Sequence, residues 1–221
     1  IIDSFKNLDG IGTPANRSHM RFCYDETNLY IYAECRLPAG KRPSARKLSR
    51  DADPWNDESL EILLSPYFDS GVYYQIVVNA AGSVFDKKWG RGVADGAGWN
   101  SGTLAKTSYR DGKWTMEASI PLKAIQAVRN GSIWRFQVYR NDFTAKLASS
   151  AFSPTITGKY HEPTQFGVLH FGKNGASITD LAVKDAFYDG WPIEASVLNR
   201  STKPLKAKVT ATVTSAKTTS S

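Results

Sequence analysis

The sequence predicts an all-β chain: a two-sheet antiparallel β-sandwich over residues 1–172, followed by a partial β segment over 173–221. Three observations carry this expectation. The dominant hydrophobic period is two, not the roughly 3.6 of a helix. The segments that show it are short and separated by turn-forming residues. Aromatic residues, which favour strands, are abundant, with 6 Trp, 10 Tyr and 10 Phe in 221 residues.

Met20–Tyr24 and Leu29–Cys35 read as a hairpin closed at Asp25–Asn28. A tight turn there pairs Cys23 with a residue near Tyr30, not with Cys35, which favours two buried thiols over a bridge. Leu29, Ile31 and Ala33 alternate with Tyr30, Tyr32 and Glu34, so both faces are fairly apolar, as in a central strand of a layered structure. Leu60–Leu64 and Tyr73–Asn79 follow, with a turn at Asn79–Gly82. Trp114–Ile120 comes after Asp111–Gly112, and places Trp114, Met116, Ala118 and Ile120 on one face. Glu117 is expected at a loop edge, because an unpartnered buried carboxylate is costly. Pro121–Val128 is the only helix-like piece. Trp134–Arg140, after the turn at Asn130–Gly131, and Phe166–Phe171 complete the predicted sandwich.

Beyond Phe171 the composition becomes small and polar. Ile178–Val183, Ile193–Leu198 and Ala207–Thr214 read as strands, with Ser, Thr and Lys dominating the end. So few large apolar side chains make a small independent core. The segment reads as the opening strands of an immunoglobulin-like domain, its last ten residues alternatively as a flexible linker. No signal-peptide pattern or initiator Met stands at Ile1–Asp3, so the chain reads as part of a longer protein whose other domains, and any export signal, lie outside this sequence.

Composition narrows the function. Hydrophobic residues make up 41%, enough for a substantial core. No run of 18 apolar residues is present, so no helical membrane span is expected. The net charge of +7 suits an acidic polysaccharide, but Lys and Arg are scattered, with no Arg-rich helix or zinc-finger spacing, which argues against nucleic acid. Nucleophile-elbow, zinc-protease, phosphate-loop and dinucleotide-binding motifs are all missing, and His19, His161 and His170 are spread along the chain.

Two segments carry chemistry. In Asp51-Ala-Asp-Pro-Trp-Asn-Asp-Glu-Ser-Leu-Glu61, an acidic loop presents Trp55 and runs into a strand bearing Glu61, with Asp57 between them. A flat indole packs on the C–H face of a pyranose, and carboxylates accept hydrogen bonds from hydroxyls; the alternative is a Trp folded back on the core as a lid. In Thr157-Gly-Lys-Tyr-His-Glu-Pro-Thr-Gln-Phe-Gly167, a loop offers Tyr160 as a second platform, with His161 beside it. The insert Lys41–Arg50 carries five cations just before the Trp55 loop and reads as either a solvated loop or a cationic rim.

In order along Met20–Phe171, these segments resemble the carbohydrate-binding module family 9-like group of the DOMON-like β-sandwiches. The matching motifs are Tyr24-Asp-Glu-Thr-Asn-Leu-Tyr30, Pro54-Trp-Asn-Asp-Glu-Ser-Leu-Glu61, Tyr74-Gln-Ile-Val-Val-Asn79, Gly112-Lys-Trp-Thr-Met-Glu-Ala-Ser-Ile-Pro121, Phe136-Gln-Val-Tyr-Arg-Asn141 and His161-Glu-Pro-Thr-Gln-Phe-Gly167. The resemblance implies a non-catalytic, extracellular carbohydrate-binding module of a larger protein. It implies a sugar clamped between two rings at Trp55 and Tyr160, the latter standing where Trp is usual, with the family carboxylate at Glu61. A family Arg falls on Val77, which leaves Arg140 and Asn141 as further polar candidates. Structural calcium is common in the group, with Asp51, Asp53 and Asp57 as the oxygen donors to consider. The competing expectations are a ligand-free structural spacer, a haem-binding relative using Met20, Met116, His19 or His170, and a hydrolase using Asp57 and Glu61.

Overall fold

The computed structural model describes residues 2–66, 71–94, 96–128, 131–144, 147–155, 157–172, 176–183, 193–199, 204 and 206. The chain divides into two compact units, Ile1–Phe171 and Gly172–Ser221.

The first unit is a two-sheet β-sandwich. Its smaller sheet has the order β2 (Ser18–Tyr24), β3 (Asn28–Arg36), β8 (Lys113–Pro121), β7 (Leu104–Arg110), all antiparallel. The larger runs β1 (Lys6–Asn7), β10 (Ala148–Ala151), β9 (Ile133–Asp142), β4 (Ser59–Ser65), β5 (Tyr73–Asn79), β6 (Val84–Trp89). A further strand, β11 (Gly167–His170), pairs with the first half of β9 while β10 pairs with the second half. In the second unit, β12 (Ala176–Val183) pairs antiparallel with β13 (Ile193–Asn199). The expected strand at 207–214 lies outside the described residues.

The period-two pattern explains the core. Met20, Ile31, Ala33, Trp114 and Met116 from the small sheet meet Leu60, Ile62, Ile76, Val78, Trp134, Phe136 and Val138 from the large one. Trp114 is fully buried, and its indole Nε1 donates to Glu58 Oε1 at 3.0 Å. Four strands escaped prediction: β1, β6, β7 and β10. β1 and β10 are only two and four residues long. β7 has no alternating buried face, with Leu104 and Tyr109 both exposed at the sheet edge.

Other expectations are corrected. The helix is a single turn, α1 (Leu122–Ile125). Glu117 is not at a loop edge; it lies mid-strand in β8, on the solvent face opposite Tyr32. Cys23 pairs with Tyr30 in register as expected, but its thiol is exposed, and only Cys35 is buried; both are free. Burial raises the Cys35 thiol to about 11.

Two motifs acquire a structural cause. Asp25 Oδ1 accepts from the backbone N–H groups of Thr27 and Asn28, and Oδ2 accepts from Tyr30 Oη at 2.8 Å, so Tyr24–Tyr30 is a self-braced turn. These bonds hold Asp25 well below the usual carboxylate range. In the Glu-Pro-Thr-Gln-Phe-Gly segment, residues Pro163–Gln165 make a 3-10 turn, Phe166 is buried, and a Cβ on Gly167 would stand 2.6 Å from Phe152 Cε1. Only glycine lets β11 approach that ring.

Candidate functional site

The large sheet carries a second apolar cluster on the face turned away from the sandwich: Leu63, Tyr73, Tyr139, Ala151 and Phe166, with Trp89 and Tyr160 packed against it. A cleft of about 820 Å³ opens on this face. Its floor comes from alternate residues of adjacent strands: Glu61 of β4, Gln75 of β5, Phe85, Lys87 and Trp89 of β6, and Asn141 of β9. Its walls are loops, with Trp55 and Asn56 on one side and Lys159, Tyr160 and His161 on another.

Each wall aromatic is held from beneath. Pro54–Asn56 forms a 3-10 turn packed against β4 and β5. It sets the half-buried Trp55 edge-on to Phe85, with ring centroids 4.8 Å apart. Tyr160 lies on Tyr139, centroids 4.3 Å apart, and its hydroxyl donates inward to Asn141 Oδ1 (2.5 Å) and contacts Ser149 Oγ (2.6 Å). Its phenol oxygen is thus committed to protein, and its ring borders the cleft. Trp55, half-buried, is not the sealed lid considered from sequence.

Glu61 is 3% exposed. Gln75 Nε2 donates to its Oε1 at 2.8 Å, and Trp89 Nε1 donates to Gln75 Oε1 at 2.6 Å. The indole therefore fixes which way the Gln75 amide points. Glu61 Oε2 takes no side-chain hydrogen bond among the described residues and is open to the cleft. Burial, only partly offset by the Gln75 bond, pushes the carboxyl up to about 7. His161 Nδ1 lies 2.9 Å from Tyr73 Oη, and burial and then the charge of Lys87 hold the imidazole below its ordinary value.

The structure thus brings Trp55, Glu61, Asn141, Tyr160 and His161 to one cleft. It removes two expected residues from it. Arg140 and Asn141 are consecutive on β9, and consecutive strand residues point to opposite faces. Asn141 faces the cleft, whereas Arg140 points into the sandwich, 0% exposed. There Arg140 Nη2 donates to Glu58 Oε1 at 2.6 Å and to the Arg36 carbonyl, while Nη1 donates to Ser18 Oγ. The guanidinium ties the two sheets together. Asp57 is also buried, accepting from Arg46 Nε at 2.9 Å and Asn79 Nδ2 at 2.9 Å. It therefore makes no carboxylate pair with Glu61 across the cleft.

The basic insert is a strap, not a rim of this cleft. Arg46 pairs with Asp57, Arg50 with Asp86, Lys47 reaches the Ala81 carbonyl, and Arg42 lies over the Tyr109 ring. Asp57, one of the oxygen donors considered for calcium, is engaged by Arg46 and Asn79, and among the described residues no group of three acidic, His or Cys side chains gathers around it. Met20 and Met116, considered as haem ligands, are fully buried in the sandwich core.

Sequence reasoning missed Phe85, Lys87 and Trp89. The signal was present: after the turn at Asn79–Gly82, Phe85, Lys87 and Trp89 alternate with Val84, Asp86 and Lys88. Val77, where the resemblance places an Arg, is fully buried on the same face as Glu61 and Gln75.

Among curated proteins none matches this chain. Solved structures of similar fold include a candidate carbohydrate-binding protein from Bacteroides uniformis, 19% identical, with 76% of this chain and 86% of that one covered at a TM-score of 0.61. They also include a carbohydrate binding module of family 9 from Caldicellulosiruptor kristjanssonii in complex with glucose, 19% identical over 77% and 85% of the two chains, with a TM-score of 0.55. A family 9 module from the same organism in complex with cellotriose is 22% identical over 78% and 80%, with a TM-score of 0.53. At these identities the likeness speaks for the fold. The family described as carbohydrate family 9 binding domain-like, a family of non-catalytic binding modules, matches residues 3–173. With that match over most of its length, the chain belongs to the carbohydrate family 9 binding domain-like family.

Proposed function

We propose that the cleft binds the end of an oligosaccharide or polysaccharide, with one sugar ring held between Trp55 and Tyr160 and its hydroxyls donating to Glu61. The observation that supports this reading most is the convergence of two partly exposed aromatic rings from separate loops above a buried, outward-open carboxylate. Aromatic faces suit the C–H face of a pyranose, and a desolvated carboxylate is a strong acceptor for hydroxyl groups. Two of the similar family 9 modules hold glucose and cellotriose, which makes β-1,4-linked glucose oligomers the first ligands to try. The function of such a module is to hold an attached protein against a carbohydrate surface, raising local concentration without chemistry. An extracellular parent chain with further domains fits that role.

The test is calorimetric titration of glucose oligomers against wild type, Trp55→Ala and Tyr160→Ala. Wild type binds, and each truncation weakens binding by about tenfold, the effect of losing one stacked ring worth roughly 1 kcal/mol or more. Equal affinity in all three proteins removes the clamp. Absence of binding by wild type to any carbohydrate favours a spacer role.

A further inference from the structure

Charge is distributed unevenly over the cleft. Among the described residues lining it, the only acidic one is Glu61, on the central strand β4. Lys87, Lys159 and His161 also line it, and Lys87 and His161 gather around Trp89 at the β6 side. Lys87 Nζ stands 4.0 Å over the centre of the Trp89 ring. That ring is itself immobilised: it stacks on Tyr73 with 9° between planes, lies 4.6 Å from His161, and donates through Nε1 to Gln75. The ammonium is therefore held by a fixed aromatic face, with N–H donors left over. Every ion pair among the described residues uses another cation. Lys87 also adds to the influences that hold His161 below its ordinary value.

We infer that the Trp89 end of the cleft is an anion subsite, that the ligand is an oligosaccharide carrying a negatively charged substituent, and that Lys87 is the residue that selects it. This rests on the reading of the cleft as a sugar site. A hydroxyl-only sugar gains little from an ammonium already resting on an indole. A carboxylate or sulfate gains a charge-assisted hydrogen bond in a partly desolvated setting. His161 sits beside Lys87 and donates to the same anion when protonated. Among the described residues, the other charged groups bordering the cleft are Glu61, whose carboxylate opposes an anion on the β4 side, and Lys159, which favours one.

The experiment uses the whole chain and three trisaccharides of one linkage: a neutral glucose trimer, a glucuronate trimer and a sulfated glucose trimer. Wild type is expected to prefer at least one anionic trimer over the neutral one by about tenfold, the size of one hydrogen bond to a charged group. That preference shrinks as salt is raised, because the lysine is only half-buried. Whichever of the carboxylated and sulfated trimers binds better identifies the anion. In Lys87→Met the ratio of anionic to neutral affinity falls toward one, and Lys87→Arg restores it. Preference for the neutral trimer, a salt-independent ratio, or a ratio unchanged in Lys87→Met overturns the inference while leaving sugar binding intact. Failure of all three trimers to bind overturns it together with the reading on which it rests. Because the salt series uses wild type, the inference stays testable even where a variant folds poorly.

Discussion

Replacing Glu61 with Gln should stabilise the protein in alkali and leave it nearly unchanged in acid. The carboxyl is raised from 4.5 to about 7 by burial. Between those pH values the folded state retains a proton that the unfolded chain has lost. Stability therefore falls as pH rises through this window, and this group causes no further loss above about 7. At about 1.4 kcal/mol per pH unit the window corresponds to roughly 3 kcal/mol, taken as an upper figure. Glu61→Gln removes the charge while keeping the shape and an acceptor for Gln75. At pH 8.5 the variant should unfold up to roughly 3 kcal/mol less readily than wild type, or about 6–12 °C higher for a domain of this size. At pH 4.5 the two should nearly coincide. Thermal and urea unfolding of both proteins at the two pH values measure this directly. A difference independent of pH, or a variant weaker at pH 8.5, would refute the assignment of a desolvated, raised carboxyl. The same residue links to function: if sugar hydroxyls donate to the carboxylate, affinity should increase as pH rises through about 7, and Glu61→Gln should flatten that profile.

Three further outcomes test the framework around the cleft. Trp114→Ala should cost about 3–5 kcal/mol, as truncation of a buried aromatic does, with Glu58 losing a donor besides; an unchanged denaturant midpoint would contradict the core assignment. Arg140→Met should destabilise by about 3–5 kcal/mol, because Glu58 would remain buried without its cation, whereas the corresponding loss of sugar affinity in the folded fraction should be small. Gly167→Ala should cost about 1–3 kcal/mol, because the new methyl must displace the Phe152 ring, and a melting temperature equal to wild type would show that the ring yields freely.

Much of the sandwich was legible because its inner strands obey a simple alternation. Residues such as Ile31, Ile62, Ile76 and Val138 face one core, and the sequence spells out the turns at Asp25–Asn28, between β2 and β3, and at Asn79–Gly82, between β5 and β6. Edge strands were not legible. β1 and β10 are too short for periodicity, and β7 has no buried face to impose one. For the site, loop residues beside a motif were good guides, since Trp55, Tyr160 and His161 all reach the cleft. Strand parity was the missing constraint. It would have separated Arg140, which points into the core, from Asn141, which does not, and it would have grouped Phe85, Lys87 and Trp89 with Glu61 and Gln75. Asp57 failed for a different reason. Its partners, Arg46 and Asn79, are 11 and 22 residues away, and nothing local in the sequence reveals them.

The most direct test is a crystal structure of the protein soaked with a bound oligosaccharide. The account predicts a terminal sugar whose C–H face lies on the Trp55 indole, with Tyr160 opposite and a hydroxyl within hydrogen-bonding distance of Glu61 Oε2. Sugar seated on the other sheet, or a cleft closed by movement of Trp55 onto Glu61, would contradict it.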